Sequence, residues 1–170
     1  MNSRRSRHTA RNGARGALAA LALAAVLAVA APAAAANPAP YPGTHSVATG
    51  YDFATLWERL KKAVKANKMG IVAQACASCG AKKRGVTIPG NAVVMVYRND
   101  FAVRMLAASV AAGIEAPLRF YVTADAGGTA TLTWRTPSAV FAPYESADLD
   151  AMARELDAIW EDIVRDTVGG

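Results

Sequence analysis

Two runs of alternating residues decide what this chain can fold into. Leu118, Phe120 and Val122 alternate with Arg119, Tyr121 and Thr123; beyond Asp125-Ala126-Gly127-Gly128, Ala130, Leu132 and Trp134 alternate with Thr129, Thr131, Thr133 and Arg135. Successive side chains of a strand point to opposite faces, so each run has an apolar and a polar side, and the Gly-rich turn joins them as an antiparallel hairpin with one wet face. Gly127-Gly128 therefore reads as a turn and not as a phosphate loop, since no helix follows it.

The rest of the pattern supplies helices and further strands. Phe53, Leu56, Trp57, Leu60 and Val64 recur at helical spacing behind Asp52, a suitable N-cap, so residues 52–68 are predicted to form an amphipathic helix. Lys61, Lys62, Lys65 and Lys68 form its other side, which reads as solvated rather than anion-binding, with Glu58 and Lys62 placed to pair at i,i+4. Ile71 to Ala75 suits a short strand, and Ala92 to Tyr97, apolar on both faces, is expected to lie centrally in the sheet. Asn99 or Asp100 can cap a helix from Phe101 to Ala112 that Gly113 stops, Ala-rich and almost without a polar face beyond Arg104 and Ser109. Such a helix is expected to be covered, either wholly within the domain or by a second copy in a homodimer. Ser146 opens a last helix, with Asp148 and Asp150 in its first turn and an apolar stripe from Leu149 through Leu156 and Trp160 to Val164. The order strand-helix-strand-strand-helix-hairpin-helix gives an α+β domain with a mainly antiparallel sheet.

Ahead of this domain, Arg4, Arg5, Arg7, Arg11 and Arg15 precede an uncharged stretch from Gly16 to Ala31, and Ala34-Ala35-Ala36 follows Pro32. A basic start, a short apolar run and small residues at a cleavage position make a secretory signal, so residues 1–36 are expected to be removed near Ala36 and the domain to work in the periplasm. The run is too short and Ala-rich to span a bilayer, which needs about 20 strongly apolar residues, so no membrane contact is expected after removal. Ser6, Arg7 and His8 stand where a twin-arginine signal would turn apolar, which favours the general export route. Residues 37–44 read as a linker and residues 45–170 as one domain. The leader also accounts for the charge: five of the chain's 19 basic residues lie in it, and the other 14 face 13 acidic ones. A nucleic-acid partner is therefore not expected, because phosphate binding wants a clustered basic surface.

The chain's two cysteines stand in Cys76-Ala77-Ser78-Cys79. In an exported protein such a pair is a structural disulfide, a redox couple or a soft-metal site, and the spacing leaves all three open. As a staple it closes a tiny loop, for which chain entropy gives only about 2 kcal/mol. As a redox couple it would gain from a helical turn beginning at Ala77 and from the nearby cations Lys82, Lys83 and Arg84, both of which favour a thiolate. Gly80 and Gly85 leave room for little more than one turn, so the long helix that heads a thioredoxin site is missing. Cys76 is the expected attacking sulfur if it is the more exposed, with Cys79 resolving. As a metal site, two thiolates could hold Cu(I) linearly, whereas zinc would want four ligands, and His45, Met69 and Met95 are not obvious additions. Haem attachment would need a histidine where Gly80 stands. Copper apart, no cofactor is expected.

Other candidates carry less. His45 is the sole histidine after the leader, and no acid is spaced to build a triad with it. Glu145, Asp148 and Asp150 suit the first turn of a helix better than paired-carboxylate catalysis. Arg119, Tyr121, Thr133 and Arg135 can share the wet face of the sheet, which makes that face the alternative site, for a small anionic ligand.

From Tyr51 to about Val168 the chain resembles the family called domain of unknown function 302. The likeness is carried by the opening helix through Thr55-Leu56, the strand Val93 to Tyr97 leading into a capped helix, Ala116-Pro117-Leu118-Arg119-Phe120-Tyr121-Val122, and Trp134-Arg135-Thr136-Pro137. It implies a fold similar to that of the TATA-binding protein, a curved antiparallel sheet with helices packed on it. Two places depart from it: Arg98-Asn99-Asp100 stands where the family usually has Gly-Asn-Pro, and the cysteine pair replaces a common Ile-acid-His stretch. The family offers no catalytic residue to carry over, and a DNA function does not follow from a shared fold. The sequence thus reads as an exported binding or accessory module, with thiol–disulfide or copper handling through Cys76 and Cys79 as the alternative.

Overall fold

The computed structural model describes residues 41–169. The leader assigned to residues 1–36 and residues 37–40 of the linker lie outside the described residues. Thr44, at the end of the linker, already opens a strand. Five strands, β1 (Thr44–Asp52), β2 (Gly70–Cys76), β3 (Asn91–Tyr97), β4 (Leu118–Ala124) and β5 (Thr129–Arg135), stand in the order β1-β5-β4-β3-β2 with every neighbour antiparallel. β4 and β5 are the expected hairpin. Asp125 closes it twice, its backbone N–H donating to Thr129 O at 3.0 Å and its Oδ1 accepting the Thr129 N–H at 2.9 Å, and Gly128 takes a φ of +89° that glycine alone adopts freely.

One face of the sheet is dry. Ala92, Val94 and Val96 of β3, Leu118, Phe120 and Val122 of β4, and Ala130 and Leu132 of β5 are all buried. Two helices supply most of what covers them, α1 (Phe53–Ala66) through Leu56, Leu60 and Val64 and α5 (Ala147–Val168) through Leu149, Met152, Leu156, Trp160 and Ile163. Both begin on their expected caps: Asp52 Oδ1 accepts the Thr55 N–H at 2.8 Å and Ser146 Oγ accepts the Leu149 N–H at 3.4 Å. The Trp160 ring stacks on Phe120 with centroids 5.2 Å apart, joining α5 to the middle strand. On the outer side of α1, Glu58 pairs with Lys61 at 2.6 Å and not with Lys62, and Lys61 also lies over the Trp57 ring, 5.8 Å from its centroid.

Four points differ from expectation. β3 is interior to the sheet but not two-sided: Val93 and Met95 are only half-buried, and no strand residue of their face is buried among those described. The helix predicted to reach Ala112 stops earlier. It is α3 (Asn99–Ala108), ended at Ser109, whose φ of −161° is extended; Ser109 Oγ accepts the Ala112 N–H at 3.4 Å and the chain resumes as a 3-10 turn, Ala111–Glu115, with Gly113 inside it. Nor is this helix covered within the domain. Phe101, Ala102 and Met105 are buried, but Val103 and Leu106 face outward, as do Val110 and Ile114 in the stretch that follows it, the last 81% exposed. Finally, two short helices are added, α2 (Ala77–Lys83) and α4 (Pro137–Phe141), the second starting on Pro137 where a missing N–H costs nothing.

Candidate functional site

The cysteines meet at a strand-to-helix junction. Cys76 ends β2, paired with Ala92 of β3, and at the same time caps α2, its Sγ accepting the backbone N–H of Cys79 at 3.1 Å. The two sulfurs are bonded, with Cα atoms 5.2 Å apart. Cys79 is exposed and Cys76 half-buried, so the condition under which Cys76 would be the attacking sulfur is not met. The helix that begins between them, α2, is a little longer than Gly80 and Gly85 suggested. Gly85, at φ +73°, ends it: its N–H donates to Lys82 O at 3.1 Å and the next, of Val86, to Ala81 O at 3.0 Å.

Ser78, between the cysteines, holds α2 to the sheet. Its Oγ accepts the Asn91 N–H at 3.1 Å and lies 3.6 Å from Cys76 Sγ. Its single proton has two acceptors within reach, Asn91 O at 3.5 Å and Cys76 Sγ. Asn91 in turn donates from Nδ2 to the Tyr121 hydroxyl. Neither Ser78 nor Asn91 was singled out from sequence, although a hydroxyl enclosed by two cysteines is a signal that can be read.

On its open side Cys79 borders a groove lined by Phe53, Val86, Ile88 and Pro89, with Lys82 among its polar residues and Asp52 and Asp125 further along. The Thr55 backbone N–H holds the Asp52 carboxyl below the usual carboxylate range, so this end of the groove carries a negative charge at neutral pH. Of the three cations flagged from sequence, Lys82 shares the groove with Cys79, Lys83 ends α2 and Arg84 is its C-cap.

The second candidate, the wet sheet face, is assembled in part. Tyr121 stands opposite Thr133, and Thr133 Oγ1 meets Ser46 Oγ of β1 at 2.8 Å. Arg119 is exposed on the same face beside Met95. Arg135 turns away, its guanidinium donating to Ala139 O at 3.3 Å and lying 5.3 Å from the Tyr41 ring centroid.

The extra soft-metal donors are scattered. His45 stacks on Trp134 on β1, at the opposite edge of the sheet from Cys76; Met69 is core; Met95 is on the outer face of β3. Among the described residues no group of three or more His, Cys, Asp or Glu side chains is gathered in a way that could hold a metal ion.

The family model described as "Domain of unknown function DUF302" matches residues 45–166, nearly all of the described domain. The chain belongs to the DUF302 family. A crystal structure of an uncharacterized conserved DUF302 protein from Bacillus stearothermophilus is similar to this one, with a TM-score of 0.65 at 16% identity over 74% of this chain and 98% of that one. At that identity the likeness establishes the shared α+β fold alone. No curated protein matches the chain. In this DUF302 domain, therefore, the chemistry rests on its own side chains.

Proposed function

We propose that this DUF302 chain is an exported accessory domain that exchanges electrons with protein thiols through the Cys76–Cys79 disulfide. The observation that carries the reading is the inequality of the two sulfurs: Cys79 opens on a groove, while Cys76 Sγ sits within reach of the Cys79 N–H and the Ser78 hydroxyl. A substrate thiolate attacks Cys79 Sγ, the S–S bond breaks, and its electron pair leaves on Cys76, where those two donors stabilise the thiolate. A second thiolate of the substrate then attacks the substrate sulfur of the mixed disulfide and expels Cys79. The substrate dithiol has become a disulfide, and this protein has gained two electrons and, from the substrate thiols through solvent, two protons. Lys82, beside Cys79, favours the approach of an anion.

Equilibration with glutathione buffers tests this. A working couple titrates between about −270 and −120 mV, whereas a pair that is only a staple lies below about −300 mV. Metal analysis of the reduced protein after exposure to Cu(I) separates thiol exchange from copper handling. Export is checked by intact mass, expected to lack residues 1–36.

A second reading, ligand binding on the sheet face, is supported by the Ser46–Thr133 and Asn91–Tyr121 contacts, which order polar groups on a face where no strand residue is buried. Under it, a variant with Ser at positions 76 and 79 would retain every function of the parent.

A further inference from the structure

The stretch joining α2 to β3 takes no part in the exchange step, yet it carries unpaired backbone amides and exposed apolar side chains. Residues 86–90 have no regular structure. The N–H of Val86 donates to Ala81 O, and Gly90 O accepts the Ala124 N–H at 2.8 Å, but among the described residues the backbone amides of Thr87 and Ile88 have no partner. Ile88 precedes Pro89, which disfavours the helical region and favours an extended backbone. Val86 and Ile88, 51% and 40% exposed, belong to the few large hydrophobic side chains that face solvent. Phe53 completes the wall: a Cβ on Gly90 would lie 2.3 Å from its ring, so only glycine lets the ring approach this backbone.

The groove is also polarised. Cys79 and Lys82 enter it from α2, whereas Asp52 and Asp125 enter from the β1–α1 junction and the hairpin turn. Of two successive amides in an extended segment one faces each side, so one of them can donate to a docked strand, whose alternate side chains find apolar contacts. The thiolate that attacks Cys79 is an anion and is drawn to the Lys82 end.

We infer that this groove docks an extended, cysteine-bearing segment of an exported partner protein, its thiol at Cys79 beside Lys82 and a Lys or Arg side chain toward Asp52 and Asp125. Docking of this kind rests on the exchange reading, of which it names the substrate class. Exchange then becomes selective for peptide thiols over small thiols, because binding precedes attack.

The test uses a fluorescent peptide Lys-Val-Thr-Val-Cys, its reverse Cys-Val-Thr-Val-Lys, versions of both with Ser for Cys, and glutathione as the undocked thiol. One of the two cysteine peptides is expected to reduce the disulfide at least about tenfold faster than glutathione, a factor worth 1.4 kcal/mol. Val86→Asp with Ile88→Asp, checked for fold by circular dichroism, is expected to bring that ratio to about one, and Glu for Lys in the peptide to lower it. Cysteine peptides that do reduce the disulfide but no faster than glutathione, or an advantage that survives the double substitution, overturn docking. An advantage indifferent to Glu for Lys overturns the polarity. The serine peptides separate the two readings, since they can bind but not exchange. If neither cysteine peptide reacts while a serine peptide binds the parent and not the variant by anisotropy, exchange fails and docking stands. If no serine peptide binds, docking fails whatever the disulfide does.

Discussion

Asn91 and Tyr121 are hydrogen-bonded across β3 and β4, Nδ2 donating to the phenol oxygen, and the same asparagine gives its backbone N–H to Ser78 Oγ. One residue therefore links the helix that carries the disulfide to the polar face of the sheet. The two sites that sequence reading treats as rivals are neighbours. A ligand on the sheet that moved Tyr121 would act on Asn91, and through it on Ser78 and the sulfur environment.

Ser78→Ala removes the hydroxyl 3.6 Å from Cys76 Sγ and leaves the Asn91 N–H without its acceptor. A hydrogen bond to a charged group contributes about 1.5 kcal/mol, and its loss raises the free energy of the thiolate form, hence of the reduced protein. The reduction potential should become more negative by about 30 mV for this two-electron couple. A potential unchanged in glutathione titration would show that Ser78 only fastens α2.

Val94→Asp addresses the core. Val94 is fully buried, between Gln74 of β2 and Phe120 of β4 in the register, on the face that α1 and α5 cover. Aspartate there would be an unpaired charge, a loss of about 4–5 kcal/mol or more against a total stability of about 5–15 kcal/mol. The variant should lose its cooperative thermal transition; an unaltered melt would contradict the placing of β3.

Much of this was legible in the sequence because it depends on periodicity and local capping. The alternation in Leu118–Arg135 reports the hairpin, Asp52 and Ser146 report helix starts, and the shared α+β fold follows. What the sequence hid depends on competition or on distant partners. Ser109 diverts a helix whose composition promised to run on, and an Ala-rich stretch gives no warning of it. Both faces of β3 read as apolar, yet helices cover only one, which composition cannot distinguish. Ser78 and Asn91 are 13 residues apart, and only the β2–β3 pairing brings them together. The outward stripe from Val103 to Ile114 leaves a homodimer contact as the remaining arm of the covering expectation, and sedimentation of a Val110→Lys, Ile114→Lys variant against the parent measures it.

The pH dependence follows from the clamp between α3 and α5. Arg104 Nη1 and Nη2 each donate to a different oxygen of Glu155 at 2.7 Å, and this fork holds the Glu155 carboxyl below its ordinary value of 4.5. A carboxyl lowered in the native state stabilises it above the unfolded value, and that contribution is lost as pH falls through the native one. Glu155→Gln should therefore melt below the parent at pH 7, with the gap shrinking once pH passes below 4.5 and closing in stronger acid. High salt should narrow it too, since both side chains are exposed. A gap that stayed constant with pH would assign it to packing and not to charge.

The inequality of the sulfurs makes the sharpest prediction. If thiols attack Cys79 and Cys76 leaves, the two single variants cannot behave alike. Cys76→Ser leaves an exposed thiol at position 79 with no neighbour to resolve it, so oxidised glutathione should convert most of the protein to a mixed disulfide, seen as added mass on the tryptic peptide carrying Cys79. Cys79→Ser leaves Cys76, half-buried at the end of β2, where attack on a glutathione disulfide must pass α2; labelling should be several-fold slower. Its thiolate would still have the Ser78 hydroxyl and the residue 79 N–H, so any slowness reflects access and not a lack of ionisation, and iodoacetamide, a smaller reagent, should close part of the gap. Equal labelling of both variants by glutathione, or faster labelling of the Cys76 thiol, would reverse the assignment and make Cys76 the sulfur that meets the substrate.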